Sequence, residues 1–285
     1  MAKAKYVLTA LLMLIASILP DLLFPSPHLQ WMKIAALLAA VTVLLILPKW
    51  RFLWKFAFLL LTINLSFLLT AAIRTAPGWA ALFAGAGFFA DVAGNASVKV
   101  VGILPVAAAL ILTTGSVGKS YLAPGNLKEK ASAIRWLGIP EDVISWGRLC
   151  VISGVLIMSG TVLLSIVTAT GFRLPGGFGR LIANFPLILL LALVNSFCEG
   201  LVFRSAVMAP LRDAFPKSFV LLMPTLFFGI AHYEGIPGGP LGAVMSGVLG
   251  WYMARAMYEA GGFLPGWIIH LMQDVAVFST LALLS

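Results

Sequence analysis

Residues 183–206 read ANFPLILLLALVNSFCEGLVFRSA, an apolar run whose only charged residues are Glu199 and Arg204. About 20 mostly apolar residues are what a helix needs to cross the hydrocarbon of a bilayer. A backbone surrounded by lipid must satisfy its own polar groups, so the run reads as a membrane helix. A carboxylate in such a helix is expensive to keep unless it faces a protein interior or a water-filled cavity, which makes Glu199 a candidate functional group. Asn195 lies four residues earlier and shares its helix face. Arg204 lies five residues later, about 140° away on a regular helix. A direct Glu199–Arg204 pair would therefore need a long side-chain reach or local unwinding near Gly200, and Arg204 is expected to hold a neighbouring helix or a lipid phosphate.

The rest of the chain repeats the pattern. Of 285 residues, 61% are hydrophobic and 10% charged, against roughly 45–50% and about 25% in soluble domains. This is the composition of a polytopic membrane protein. Apolar runs at 4–23, 31–48, 53–73, 98–118, 149–170, 183–206, 218–235, 241–259 and 263–284 predict an all-α transmembrane helical bundle of about 8–9 spanning helices. The first run follows the basic start MAKAK and lacks a small-x-small cleavage site, so it reads as a membrane helix rather than a signal peptide. A shorter run, 79–93, contains Asp91 and is expected to be re-entrant or interfacial.

Charge sets the expected orientation. Lys3, Lys5, Lys49, Arg51 and Lys55, then Lys119, Lys128, Lys130, Arg135 and Arg148 in the loop 119–148, fall on one side if 79–93 does not cross. The positive-inside rule then places the N-terminus and that loop in the cytoplasm, most simply at a plasma (inner) membrane. The net charge of +9 comes from cations at segment ends, which suits anionic lipid and gives no reason to expect a nucleic-acid partner. Within the loop, 127–137 has the spacing of a short amphipathic helix, with Leu127, Ala131, Ile134 and Leu137 on one side. Cys150 and Cys198 lie in or beside apolar segments and suggest neither a disulfide framework nor a CxxC metal site. The expected organisation is one membrane domain, with N-terminal helices and a basic loop over 1–148 and a helical core over 149–285. Gly242, Ser246, Gly250 and Ala254 put small residues at four-residue spacing, a seam for close helix packing. Arg255 and Glu259 close that helix as an expected interfacial pair.

Two of the three histidines stand in further polar clusters. Phe228 and His232 share a face, as do His270 and Asp274. A carboxylate and two imidazoles gathered in a wet intramembrane cavity are the parts of a hydrolase. Such a site would place a base on water and donors where negative charge develops. The chain has no HExxH, GxSxG or Walker A sequence, and internal repeats of the transporter kind are not apparent.

Three motifs in order carry a resemblance. Glu199-Gly200-Leu-Val-Phe-Arg204, Phe228-Gly-Ile-Ala-His232 and His270-Leu-Met-Gln-Asp274 resemble the EExxxR, FxxxH and HxxxN/D motifs of the CPBP intramembrane proteases. That family includes type II CAAX prenyl endopeptidases and bacteriocin-processing and immunity proteins. The resemblance covers about residues 150–285. It implies a catalytic cavity within the membrane and an endopeptidase acting on a membrane peptide or a lipidated protein. It implies that Glu199 and His232 activate water and that His270 and Asp274 stabilise the oxyanion. Arg204, Phe228 and Asn195 would bind substrate or support the site. Gly200 stands where the family usually has a second Glu, which weakens any scheme needing two carboxylates on a metal. Zinc held by Glu199, His232, His270 and water is possible, and a metal-free glutamate mechanism is the preferred expectation. The alternatives are a non-proteolytic immunity or assembly protein on the same scaffold, or a proton-coupled transporter.

Overall fold

The computed structural model describes residues 2–83, 87–170, 178–235 and 238–284. Their regular structure is helical, in the order α1 (Ala2–Ala16), α2 (Leu19–Leu23), α3 (Leu29–Ile46), α4 (Trp54–Thr75), α5 (Pro77–Phe83), α6 (Phe88–Thr114), α7 (Trp146–Thr170), α8 (Phe178–Gly200), α9 (Ala206–Met208), α10 (Lys217–Ala231), α11 (Gly239–Ala260) and α12 (Leu264–Leu284). A π-helical stretch, Leu201–Ser205, joins α8 to α9. Among the described residues no strands form, only isolated bridges. Among the described residues, six helical runs are long and apolar enough to cross a membrane: Leu29–Ile46, Pro48–Thr75, Phe89–Thr114, Trp146–Val167, Leu181–Met208 and Leu264–Leu283. The protein is an all-α polytopic membrane bundle.

Three boundaries differ from the sequence expectation. The first run does not stay one helix: α1 ends at Ala16, Ser17 turns the chain with its hydroxyl on the Leu14 carbonyl at 2.7 Å, and α2 restarts around Pro20. Proline has no N–H to donate and suits a helix's first turn, where Pro20 lies. The run 79–93 is not one element either. Its front belongs to α5, residues 84–86 lie outside the described residues, and its last residues open α6. Helix α6 therefore starts ten residues before the expected 98, and Asp91, Asn95 and Lys99 all lie within it. Polar residues that look like a segment end can continue a membrane helix when partners receive them.

The third correction concerns the loop. Residues 127–137 do not form an amphipathic helix; only Arg135–Leu137 make a single 3₁₀ turn. The Asn126 side chain accepts the Lys128 N–H at 3.0 Å, the side-chain-to-backbone bond that competes with helix formation. Gly138 then reverses the chain at φ 68°, a conformation favouring glycine. Ala131 and Ile134 are buried as their apolar character suggests. Glu259 anchors the segment, its carboxylate accepting the Ser132 N–H and the Trp146 indole N–H, both at 2.9 Å. Glu259 thus anchors the loop.

The described residues group into two compact units. One comprises residues 1–71, 102–123 and 201–255. Here Lys33, Leu37, Val41 and Leu44 form the buried stripe of α3, at the spacing of one helix face. Lys33 reaches Asp21 at 2.7 Å. Asn64 on α4 donates to the carbonyls of Ala16 and Leu60. Lys5 on α1 donates to the Ala214 carbonyl at 2.9 Å, and Tyr6 stacks edge-on against Phe215 and Phe219. Helices α10 and α11 pack so closely that a Cβ on Gly250 would lie 2.9 Å from the Phe228 ring. Of the expected small-residue seam, Gly242, Gly250 and Ala254 are buried, and Gly247 packs against Thr225 and Gly229.

The other unit comprises 72–101, 124–200 and 256–285. In it α12 packs against both α7 and α8. Thr161 on α7 donates to Gln273 on α12 at 2.8 Å. Phe197 on α8 stacks on Phe263 and Trp267, with ring centroids 5.0 and 6.2 Å apart. This packing aims the polar face of α8 at the polar face of α12.

Candidate active site

Helix α8 presents Asn195 and Glu199 one turn apart, and α12 presents His270 and Asp274 with the same spacing. Between them they hold four of the expected site residues, and the structure adds a fifth, Lys99 from α6. The Lys99 ammonium donates to Glu199 Oε1 at 2.7 Å and also to the Asn195 carbonyl oxygen. The Asn195 amide nitrogen donates to Asp274 Oδ2 at 3.0 Å. His270 Nε2 stands 3.6 Å from Asp274 Oδ1 and 3.6 Å from Glu199 Oε2. The five side chains close a ring: Lys99, Glu199, His270, Asp274, Asn195 and back to Lys99.

Burial is graded around it. The side chains of His270, Asp274 and Glu199 keep 3, 10 and 15% of their surface exposed, and that of Lys99 keeps 34%. Ionised groups with so little water need opposite charges and hydrogen bonds close by. Both separations at His270 are longer than an ordinary hydrogen bond. Asp274 accepts from Asn195 through Oδ2.

Arg204, Phe228 and His232 come together in the other unit. Phe228 lies near the end of α10, its ring centroid 4.1 Å from that of His232, and the Arg204 guanidinium lies 5.4 Å from the Phe228 ring centre. Arg204 is fully buried, which favours the expectation that it holds a neighbouring helix over one that it binds a lipid phosphate. The regular helix gives way just after Gly200 to the π-helical stretch Leu201–Ser205; such bulges recur at functional sites. His232 caps α10, with Nδ1 2.9 Å from the Phe228 carbonyl oxygen. A carbonyl only accepts, so this bond requires the hydrogen on Nδ1, and the neutral ring then offers a lone pair at Nε2.

Among the described residues no group of three or more His, Cys, Asp or Glu side chains is arranged to hold a metal ion. The carboxylate of Glu199 already holds an ammonium at 2.7 Å, and that charge opposes a divalent cation at the same oxygens.

Lys99 was missing from the sequence reading although a signal was present. It is a cation inside the apolar run Phe89–Thr114, and ionisable residues within such runs are expected to have a named partner. Placing the helix start at 98 made Lys99 look like an end residue. It also shows that the ring draws on the N-terminal half of the chain.

No curated protein and no solved structure matches the chain. One family model does match, over α8, α10, α11 and most of α12, and so includes Glu199, Arg204, Phe228, His232, His270 and Asp274. By that match, residues 181–276 carry the signature of the Rce1-like family, described as type II CAAX prenyl endopeptidase Rce1-like.

Proposed function

We propose that the protein is an intramembrane endopeptidase that hydrolyses a membrane-associated peptide. The observation that carries this reading is the closed ring of five polar side chains around Glu199, in a bundle otherwise built from apolar helices. The family match supports a protease of the CAAX type. Glu199 acts as general base through Oε2, the oxygen on the His270 side. His232, with its hydrogen held on Nδ1, is assigned the second base for the attacking water. His270 supplies the N–H that meets the oxygen of the scissile carbonyl as charge develops, an electrostatic term worth about 10²–10³ in rate. Asp274 and Asn195 hold His270 in place. The mechanism is metal-free. The substrate is a lipidated or membrane-inserted peptide, and the loop 119–148 lies on the cytoplasmic side of the plasma membrane. The test is quantitative proteomics of membranes from cells carrying wild type or Glu199→Gln. New peptide termini present only with wild type are expected; identical profiles would count against proteolysis.

A second reading draws on Lys99. A half-buried Glu–Lys pair also suits a structural element of a non-proteolytic immunity or assembly protein, and Gly200 in place of a second Glu favours that reading. Full biological complementation by Glu199→Ala would select it.

A further inference from the structure

We propose that Lys99 is a positioning residue of the site, reaching from α6 to fix both the base and its support; the inference rests on the hydrolytic reading above. An ammonium has only hydrogens to offer. One goes to Glu199 Oε1 at 2.7 Å and another to the Asn195 side-chain oxygen. Each bond has a consequence one step away. With Oε1 occupied, Oε2 is the Glu199 oxygen left facing His270. With its oxygen drawn to Lys99, Asn195 must turn its amide nitrogen toward Asp274, where it donates at 3.0 Å. One side chain thus selects the working oxygen of the base and sets the amide orientation that holds Asp274 beside His270. Without it, Asn195 can reverse its amide and donate to Glu199, which ties up the base and leaves Asp274 without that donor. Glu199 and Asp274 both lie 3.6 Å from the same imidazole nitrogen, and the Lys99 charge offsets their mutual repulsion.

The test uses the full chain purified in detergent micelles. The probe is an internally quenched peptide carrying a prenylated Cys and ending in an aliphatic-aliphatic-X tail. Lys99→Met is expected to lower kcat about 100-fold, the scale of a misplaced catalytic group, with KM little changed. Lys99→Arg keeps the charge and is expected to regain about tenfold of that loss, in line with the strength of charge-assisted hydrogen bonds. Lys99→Gln, which keeps a donor without the charge, carries the comparison if Lys99→Met does not fold. Wild-type kcat in Lys99→Met beside an inactive Glu199→Gln overturns the Lys99 inference alone. Equal losses in Lys99→Met and Lys99→Arg that track a fall in melting temperature also overturn it, because they mark a merely structural pair. Glu199→Gln as fast as wild type, or a wild type that leaves the probe uncut, overturns both this inference and the hydrolytic reading.

Discussion

Asn195 shows how tightly single atoms are specified in this protein. Its carbonyl oxygen takes the Lys99 ammonium and its amide nitrogen serves Asp274, so neither half can be exchanged. In Asn195→Asp the first contact survives, but a second carboxylate then faces Asp274 at the 3.0 Å separation now spanned by a hydrogen bond. Losing a hydrogen bond to a charged group costs about 1.5–3 kcal/mol, and the new repulsion adds to it. The variant is expected to melt several degrees below wild type in detergent, read by differential scanning fluorimetry; an unchanged melting temperature would contradict the assigned amide orientation. The two pairs at four-residue spacing, Asn195 with Glu199 and His270 with Asp274, were readable from the sequence because helix periodicity alone puts them on one face. Lys99 was not, because its role depends on which helix faces which, and that information is not local. The Asn195 amide orientation is fixed by Lys99 and was hidden for the same reason.

At the scale of elements, helix positions were legible wherever long apolar runs met clear breakers, as in α3, α4, α7 and α12. They were misjudged where polar residues sit inside a helix, as at the start of α6, or where side chains cap the backbone against helix formation, as at Asn126. The packing of α10 on α11 makes a separable claim. A methyl group at Gly250 would meet the Phe228 ring at 2.9 Å, whereas one at Gly247 would have its nearest neighbour, the Thr225 carbonyl oxygen, at 3.4 Å. Gly250→Ala is expected to destabilise by about 1–3 kcal/mol, the usual cost of overpacking, and to disturb the Phe228–His232 pair. Gly247→Ala is expected to stay within about 0.5 kcal/mol of wild type, as unremarkable substitutions do. Comparable losses in the two variants would mean that α10 and α11 do not meet through Gly250 as described.

At the scale of the whole molecule, the polar loop is tied down through Glu259. Glu259 receives two donors from the segment 124–146, and Glu259→Ala leaves both without their acceptor, at about 1–3 kcal/mol each when buried. Limited proteolysis is expected to cut that variant within 124–145 far faster than wild type; equal rates would show that the loop does not depend on Glu259. The basic residues at segment ends predict a cytoplasmic N-terminus and loop. A cysteine placed at the exposed Lys130 in a variant lacking Cys150 and Cys198 is expected to react with a membrane-impermeant maleimide only after the cytoplasmic face is opened. Labelling from outside in intact cells would reverse the assigned topology.

The hydrolytic role of the ring itself is most directly read from the cleavage rate of a prenylated CAAX-type peptide by purified wild type, Glu199→Gln, His232→Ala and His270→Ala, each confirmed as folded by its melting temperature. Removal of a general base typically lowers the rate by 10²–10⁴-fold. Glu199→Gln is expected to fall by about that factor and the two histidine variants by at least about 10². Three folded variants that all cut the peptide as fast as wild type would contradict the assignment of Glu199 and its neighbours as the hydrolytic centre.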